Sequence, residues 1–252
     1  RARRLGIWRR PVSILHEIAN MYEFLRQSSR WTLADVLAWQ ADDKPEKTFV
    51  ELVDGPTLSF RHALDWSGQV ASHFENLGVR AGDSVIVMLP NDLDFIAVWL
   101  GLARLGAVAV LLNTELIGAF LAHQIVDSGA QIAVVAEPIL SRVIEISDRL
   151  PALRSIVVAG ASDRFGAPDT GVHLSPLADW RTCGPYSGAM PRASDVAHVM
   201  YTSGTTGPAK GVLMPHAHCF LYGLGAIDNL GLNADDRYYV TLPLYHANGL
   251  FM

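Results

Sequence analysis

Cysteine is scarce in this sequence, and the cysteines present cannot build a metal or disulfide framework. The chain of 252 residues has two, Cys183 and Cys219, which lie far apart and outside any C-x-x-C pair. A zinc ribbon needs four suitably spaced ligands and a small secreted scaffold needs several disulfides, so both classes are excluded. A reducing compartment such as the cytoplasm is the simplest location for such a chain.

Positive charge is also in short supply. The chain has 20 lysines and arginines against 25 aspartates and glutamates, and its formal net charge at pH 7 is −5. A protein that binds the phosphate backbone of DNA or RNA needs a surplus of positive charge, so no nucleic-acid partner is expected. Half of the residues are apolar, and a chain of this length and composition can bury a large core.

A long uninterrupted hydrophobic run is missing as well. The longest apolar stretch, residues 95–112, carries Arg104 near its middle. A charge there costs roughly 2.5–3.5 kcal/mol on membrane insertion, so we interpret the stretch as buried core. The first ten residues are rich in arginine, but no continuous apolar run and cleavage site follow them, as a secretory signal peptide requires.

Residues 1–30 form a basic, amphipathic N-terminal segment. Two interpretations stay open for it: a helix that lies on anionic lipid, which would make the protein membrane-peripheral, and a helix packed on its own domain, which is the commoner outcome. The apolar residues at helical spacing are Trp8, Ile14, Leu15, Ile18, Tyr22 and Leu25.

Strands alternate with helices along the rest of the chain. Short apolar runs predict strands at 48–53, 84–89, 107–112, 132–136 and 155–159. Helical periodicity predicts helices at 31–40, 59–77, 92–105, 114–128 and 139–150, and places Ile117, Phe120, Leu121 and Ile125 on one face of the fourth. Strands that are apolar throughout and separated by helices predict an α/β fold with a largely parallel sheet flanked by helices.

The pattern divides the chain after residue 194. Residues 160–194 are rich in glycine, proline, aspartate and serine and predict an irregular linker. We therefore expect an α/β subdomain at 31–194 that ends in this linker, and the start of a second α/β subdomain at 195–252.

A polar loop follows the strand predicted at 195–201. Residues 202–211 (TSGTTGPAKG) combine three glycines, four hydroxyl side chains and Lys210, with no acidic or bulky apolar residue. Glycines let backbone N–H groups approach an anion, hydroxyls bind phosphate oxygens or Mg²⁺, and a lysine adds positive charge. Ala209 and Gly211 exclude a Walker A loop, and Thr206 excludes a Rossmann fingerprint. The loop predicts a polyphosphate site.

Three stretches together resemble one family. The sequence from Tyr201 to Val212 is similar to the phosphate-loop signature of the adenylate-forming superfamily of acyl-CoA synthetases, luciferases and adenylation domains. Residues 99–106 with 111–113, and residues 242–249, are similar to CoA ligases of the fatty-acid and fatty-acid-transport-like type. Relatives usually have proline immediately before the loop lysine, where this chain has Ala209, and the arginine often found after Asn113 is missing from residues 114–117.

The resemblance implies an activity and a set of site residues. It implies that Mg-ATP activates a carboxylic acid, of the fatty type, as an acyl-adenylate, which then passes its acyl group to coenzyme A. It places Thr202 near Mg²⁺ and Lys210 on the polyphosphate, and it gives His246 a catalytic position beside the reacting carboxylate. The residues implied to surround the phosphates are Ser203, Gly204, Thr205, Thr206 and Gly207.

Other interpretations of these residues stay open. His246 could equally be a buried histidine that caps a strand. His216 and His218 stand two residues apart on a predicted helix, where their imidazoles face different sides, so we predict no metal site there.

The resemblance also implies that part of the enzyme is missing. We expect the chain to be the first half of the large N-terminal domain, because the adenine-binding and ribose-binding motifs, the hinge and the C-terminal catalytic lysine are not found in it. The fragment alone would then be inactive, and the missing C-terminal half would be its partner. The alternatives are a ligase that hands the acyl group to a carrier protein, and an inactive nucleotide- or acyl-binding module.

Overall fold

The computed structural model describes residues 23–160, 171–202 and 208–251. Its strands are β1 (Thr48–Glu51), β2 (Thr57–Ser59), β3 (Ser84–Met88), β4 (Val108–Leu111), β5 (Ile132–Ala136), β6 (Ser155–Ala159), β7 (His173–Pro176), β8 (Val196–Tyr201) and β9 (Gly211–Pro215). Its helices are α1 (Leu33–Asp43), α2 (Phe60–Asn76), α3 (Leu93–Leu105), α4 (Gly118–Ser128), α5 (Leu140–Ile144), α6 (His216–Leu230) and α7 (Ala247–Leu250).

Seven strands form one sheet in the order β7-β6-β5-β3-β4-β8-β9, while β1 and β2 form a separate antiparallel pair. All neighbours in the large sheet are parallel except β9, which runs antiparallel to β8. Alternate residues of β3 enter different cores: Val85 and Val87 pack with α1, α2 and α3, whereas Ile86 and Met88 pack with α4 and α5. Helices therefore cover both faces, and the predicted α/β fold is confirmed.

Helix boundaries follow the capping residues. The side-chain oxygen of Ser59 accepts a hydrogen bond from the His62 N–H and begins α2, and Asp92 does the same with Phe95 to begin α3. Gly106 and Gly129 adopt left-handed conformations at the ends of α3 and α4, which glycine does without steric cost.

The predicted helix 114–128 is too long at its start. The Asn113 side chain accepts a hydrogen bond from the Glu115 N–H (2.8 Å), and this turn competes with the first helical turn, so α4 begins at Gly118. The proposed common face is also wrong, since Ile117 and Phe120 are 62% and 77% exposed while Leu121 and Ile125 are buried.

The single helix predicted at 139–150 is also wrong. The structure has a 3-10 turn at Glu137–Ile139, the short helix α5, and a second 3-10 turn at Ser147–Arg149. The Ser147 hydroxyl donates to the Ile144 carbonyl (2.7 Å), which offers that carbonyl a partner other than the helical backbone.

The region predicted as an irregular linker contains regular structure. Strand β7 pairs with β6. A 3-10 helix at Leu177–Thr182 buries Trp180 in the core that contains α1, α2 and α3. Strand β8 then pairs with β4, so one sheet continues across residue 194. The division into two subdomains at that point stays a prediction.

The described end of the N-terminal segment packs on its own domain. Residues 23–26 are helical, and the buried Phe24 stacks on Trp39 at 5.0 Å between ring centroids. Residues 1–22 lie outside the described part, so the lipid-contact prediction for them stays open.

The apolar run 95–112 divides into α3 and β4, both buried. Among the described residues, no helix is both long and apolar enough to cross a bilayer.

Candidate functional site

The polar loop connects β8 to β9 as a hairpin, and we call residues 202–210 the 202–210 loop. The last cross-strand pair is Tyr201 with Gly211, and the Thr202 N–H donates to the Lys210 carbonyl at 3.0 Å. Because β8 is parallel to β4, the loop leaves the carboxyl edge of the sheet, where open α/β sheets bind ligands. Ser203, Gly204, Thr205, Thr206 and Gly207 lie outside the described residues.

Gly211 allows the two strands to approach closely at the base of the loop. A Cβ atom at this position would lie 2.8 Å from Val199 Cγ1 and 3.4 Å from Tyr201 Cζ. A side chain here would displace the Val199 side chain that packs over this position, so the glycine after Lys210 has a packing reason besides any role in phosphate binding.

Lys210 is exposed, and no carboxylate of the described residues lies within 4.0 Å of its ammonium group. Thr202 is exposed beside it, with a long contact of 3.5 Å from its hydroxyl to the Lys210 carbonyl. The structure thus brings two predicted site residues together at the loop base. A cation and a hydroxyl available at one edge can bind an anion.

Helix α4 holds both ends of this loop. The Tyr201 hydroxyl contacts the Asp127 carboxylate at 2.7 Å and the Gln124 carbonyl at 3.1 Å, and His123 Nε2 contacts the Ala209 carbonyl at 3.1 Å. Burial and the bond to Asp127 raise the pKa of Tyr201 above its usual value, so the phenol stays protonated. No motif on α4 signals these contacts in the sequence, so they were not predicted.

His246 lies in a second loop at the same edge, which we call the 242–250 segment. The histidine is exposed at the N-terminal end of α7, with its ring centroid 4.6 Å from that of Tyr245. A Cβ on Gly249 would lie 2.3 Å from the Pro243 carbonyl oxygen, so the turn that presents His246 requires glycine there. The exposure of His246 does not fit the alternative of a buried histidine.

Asn91 attaches the 242–250 segment to the sheet. Its amide group donates to the Leu242 carbonyl and accepts from the Leu244 N–H, both at 2.9 Å. Asn91 follows the carboxyl end of β3, and β3 and β8 flank β4. Since adjacent strands lie about 4.8 Å apart, the strand that the 202–210 loop leaves and the strand whose end holds the 242–250 segment are roughly 10 Å apart.

An apolar groove runs along the exposed side of α6, and we call it the α6 groove. It encloses about 410 Å³. Tyr222 in its wall stacks on Phe251, at 6.1 Å between centroids, and Phe251 directly follows α7, the helix that His246 begins. One wall residue of the groove therefore packs against the chain just beyond the 242–250 segment. Its lining residues are His218, Leu221, Tyr222, Gly225, Ala226, Asn229 and Leu230.

Two buried histidines lie behind the site. His198 Nε2 accepts from the Trp99 indole, so Nδ1 carries the proton and donates to the Cys219 sulfur at 3.2 Å. Burial, with a smaller effect from His216, lowers the pKa of His198 to about 3. Burial likewise lowers the pKa of His216 to about 4, and its Nδ1 accepts from the Leu33 N–H. These neutral imidazoles serve packing.

The chain matches one protein family over most of its length. The profile of the family described as AMP-binding enzyme covers residues 37–252. Among curated proteins, a 2-succinylbenzoate–CoA ligase of Geobacillus sp. (strain WCH70) is 32% identical over 83% of this chain and 36% of its own length. Long-chain fatty acid transport protein 1 of Rattus norvegicus is 30% identical over 88% of this chain and 34% of its own. The chain thus spans about a third of these relatives.

Solved structures agree with this match. The anthranilate CoA ligase AuaEII in complex with anthranoyl-AMP superimposes with a TM-score of 0.77 at 28% identity, over 88% of this chain and 42% of that one. ATP-bound MatB from Rhodopseudomonas palustris gives a TM-score of 0.72 at 26% identity, with the same coverage of both chains.

Proposed function

The chain belongs to the family of AMP-binding enzymes, and we propose that it is the ATP-binding part of an acid–thiol ligase. The complete enzyme would activate a carboxylic acid as its acyl-adenylate, release pyrophosphate and transfer the acyl group to coenzyme A. Relatives named as CoA ligases support this reaction class. The observation that carries it is the exposed Lys210, which has no carboxylate partner in the described part of the chain, at the base of a loop on the carboxyl edge of the sheet.

The residues of the loop base would perform the electrostatic part of this reaction. The attacking carboxylate and the triphosphate are both anions, so their approach requires that negative charge be neutralised and the phosphates be oriented. Lys210 would bind the polyphosphate, and Thr202 would direct its hydroxyl toward a phosphate-bound Mg²⁺, which supplies further charge neutralisation. The donor set fits this role, because both side chains are exposed and lie on one hairpin.

His246 and the α6 groove would receive the acid. The exposed imidazole lies on the same sheet edge as Lys210, and it can donate a hydrogen bond to a carboxylate. The α6 groove of about 410 Å³ is lined mainly by apolar side chains. Such a lining favours an alkyl chain over a charged or polar acid, so we propose a fatty acid as the substrate. The relative named as a fatty acid transport protein supports this choice.

The test is calorimetric titration of the purified chain with Mg-ATP. We expect Lys210→Ala to weaken binding about 10- to 100-fold, since a charge-assisted hydrogen bond contributes about 1.5–3 kcal/mol. Lys44→Ala is the charge-matched control. It removes one positive charge from the C-terminal end of α1 and should leave the affinity for Mg-ATP unchanged. Equal affinities for the parent and Lys210→Ala would refute the role of the lysine.

Product analysis separates the remaining alternatives. We expect residues 1–252 alone to form no acyl-CoA, because the match covers only about a third of the length of the relatives. A longer protein that contains this chain should convert a fatty acid, ATP and coenzyme A to acyl-CoA. Transfer to an acyl carrier protein and not to coenzyme A would identify the carrier-dependent ligase, and an inactive binding module would form neither product.

A further inference from the structure

Two contacts from α4 bracket the 202–210 loop. Tyr201 immediately precedes Thr202 and Ala209 immediately precedes Lys210, and α4 contacts both residues. The contacts lie on opposite strands of the hairpin, so together they restrain the separation and twist of the two loop ends. Neither contact involves a side chain that our proposed function uses directly.

Helix α4 is a firm support for such restraints. Its inner side buries Leu121, Ala122 and Ile125 in the core that α4 and α5 form with the sheet, and Gly129 ends the helix. Amides and side chains on a packed helix move little compared with those on an exposed loop. A hydrogen bond from α4 therefore fixes the loop ends relative to the core of the sheet.

The contact of His123 is the more informative of the two. A carbonyl oxygen can only accept, so His123 Nε2 must carry a proton and donate to Ala209 at 3.1 Å. Ala209 has no ring to fix its backbone torsion, unlike a proline at the same place. The His123 hydrogen bond is a restraint on the peptide group that joins Ala209 to Lys210.

We propose that His123 is a positioning residue that holds the Ala209–Lys210 peptide, and with it the Thr202 N–H on the Lys210 carbonyl, and so directs Lys210 toward the polyphosphate. The imidazole does not touch the nucleotide itself. Its effect should depend on the hydrogen bond and on the presence of the terminal phosphates. The inference rests on the proposed function for its ligand, but the restraint itself can be measured without ligand.

The variants separate the hydrogen bond from the bulk of the side chain. His123→Leu keeps an apolar body but loses the donor, whereas His123→Gln keeps an N–H donor of similar reach. His173→Leu is the control, since His173 is exposed on β7 at the opposite edge of the sheet. Urea unfolding of each variant checks that the fold is kept.

The first readout is amide hydrogen exchange of Thr202 in the absence of ligand. This amide donates to the Lys210 carbonyl at 3.0 Å and reports closure of the loop base. We expect exchange about tenfold faster in His123→Leu, and parent-like exchange in His123→Gln and His173→Leu. Unchanged exchange in His123→Leu would overturn the restraint, whether or not the chain binds nucleotide.

The second readout compares Mg-ATP with AMP by titration calorimetry. We expect His123→Leu to weaken Mg-ATP binding about tenfold and to leave AMP binding unchanged, with His123→Gln close to the parent. An equal loss for both nucleotides would indicate a general structural role and contradict positioning. If the parent binds no Mg-ATP, the proposed function of the isolated chain fails, while the exchange measurement still decides the restraint.

Discussion

At the scale of single residues, Asn91 attaches the 242–250 segment to the carboxyl end of β3. One amide group provides both the donor for the Leu242 carbonyl and the acceptor for the Leu244 N–H, so it replaces a strand partner for a stretch that has none there. An aspartate in place of Asn91 would lack the N–H donor, and a leucine would lack both the donor and the acceptor. The position of His246 therefore depends on a residue 155 positions earlier in the chain.

We expect Asn91→Ala to release the 242–250 segment without unfolding the sheet. Loss of the two hydrogen bonds should speed exchange of the Leu244 amide by about tenfold or more. Asn233→Ala is the control, because in the described structure its side chain bonds only to the nearby Asp235 and Asp236. Measurement is by hydrogen exchange, and unaltered exchange at Leu244 in the Asn91 variant would show that other contacts hold the segment.

At the scale of elements, helices α2 and α3 pack closely enough to require glycine. A Cβ on Gly101 would lie 2.3 Å from Val70 Cγ1 and 2.5 Å from Val70 Cβ. Val70 is fully buried, so it has no open space to move into. This close contact lets α3 lie between α2 and the sheet, and α3 in turn supplies Trp99 to the cluster behind the site.

Gly101→Ala should destabilise the protein although alanine is the better helix former. Overpacking of a dense core costs about 1–3 kcal/mol, which exceeds the helical gain of about 1 kcal/mol. Gly223→Ala in α6 is the matched control: nothing lies within 4 Å of its added Cβ, so it should be neutral or stabilising. Urea unfolding measures both, and a more stable Gly101→Ala variant would show that the helices can move apart.

At the scale of the whole molecule, one buried polar cluster joins two helices to the central sheet. Trp99 comes from α3, His198 from β8 and Cys219 from α6, and Phe251 packs on the imidazole at 5.5 Å between centroids. Burial raises the pKa of the Cys219 thiol to about 12, so at neutral pH it stays a neutral partner of the imidazole. The cluster is stable only while His198 is uncharged.

Stability should therefore fall as the solution is acidified. His198 and His216 take up protons in the unfolded chain near pH 6.5 but in the folded chain only near pH 3 and pH 4. Between these limits the unfolded state binds more protons, so each histidine lowers the unfolding free energy by about 1.4 kcal/mol per pH unit as the pH falls. Above pH 6.5 their contribution is constant.

Urea unfolding between pH 7 and pH 4 tests this contribution. His198→Gln removes one of the two groups, so we expect the slope of its unfolding free energy against pH to be smaller by about 1.4 kcal/mol per unit. His173→Gln removes an exposed imidazole and should keep the parent slope. Parallel curves for the parent and His198→Gln would mean that His198 is already protonated, or solvated, in the native state.

The sequence alone determined the features that short segments encode. Strand runs such as 132–136 and 155–159 and the phosphate-loop signature depend on neighbours a few residues away, and their patterns are visible in one chain. The family followed from the same local motifs. Where local chemistry was misjudged, as at Asn113 and Ser147, a side chain that bonded to its own backbone altered the helix.

Only the tertiary structure decided which residues support the site. His123 and Ala209 are 86 positions apart, and Asn91 and Leu242 are 151 apart. Single polar contacts of this kind have no periodicity and no characteristic spacing. They form because parallel strands bring their carboxyl ends to one edge of the sheet, whatever their separation in sequence, and that edge is assembled only when the chain folds.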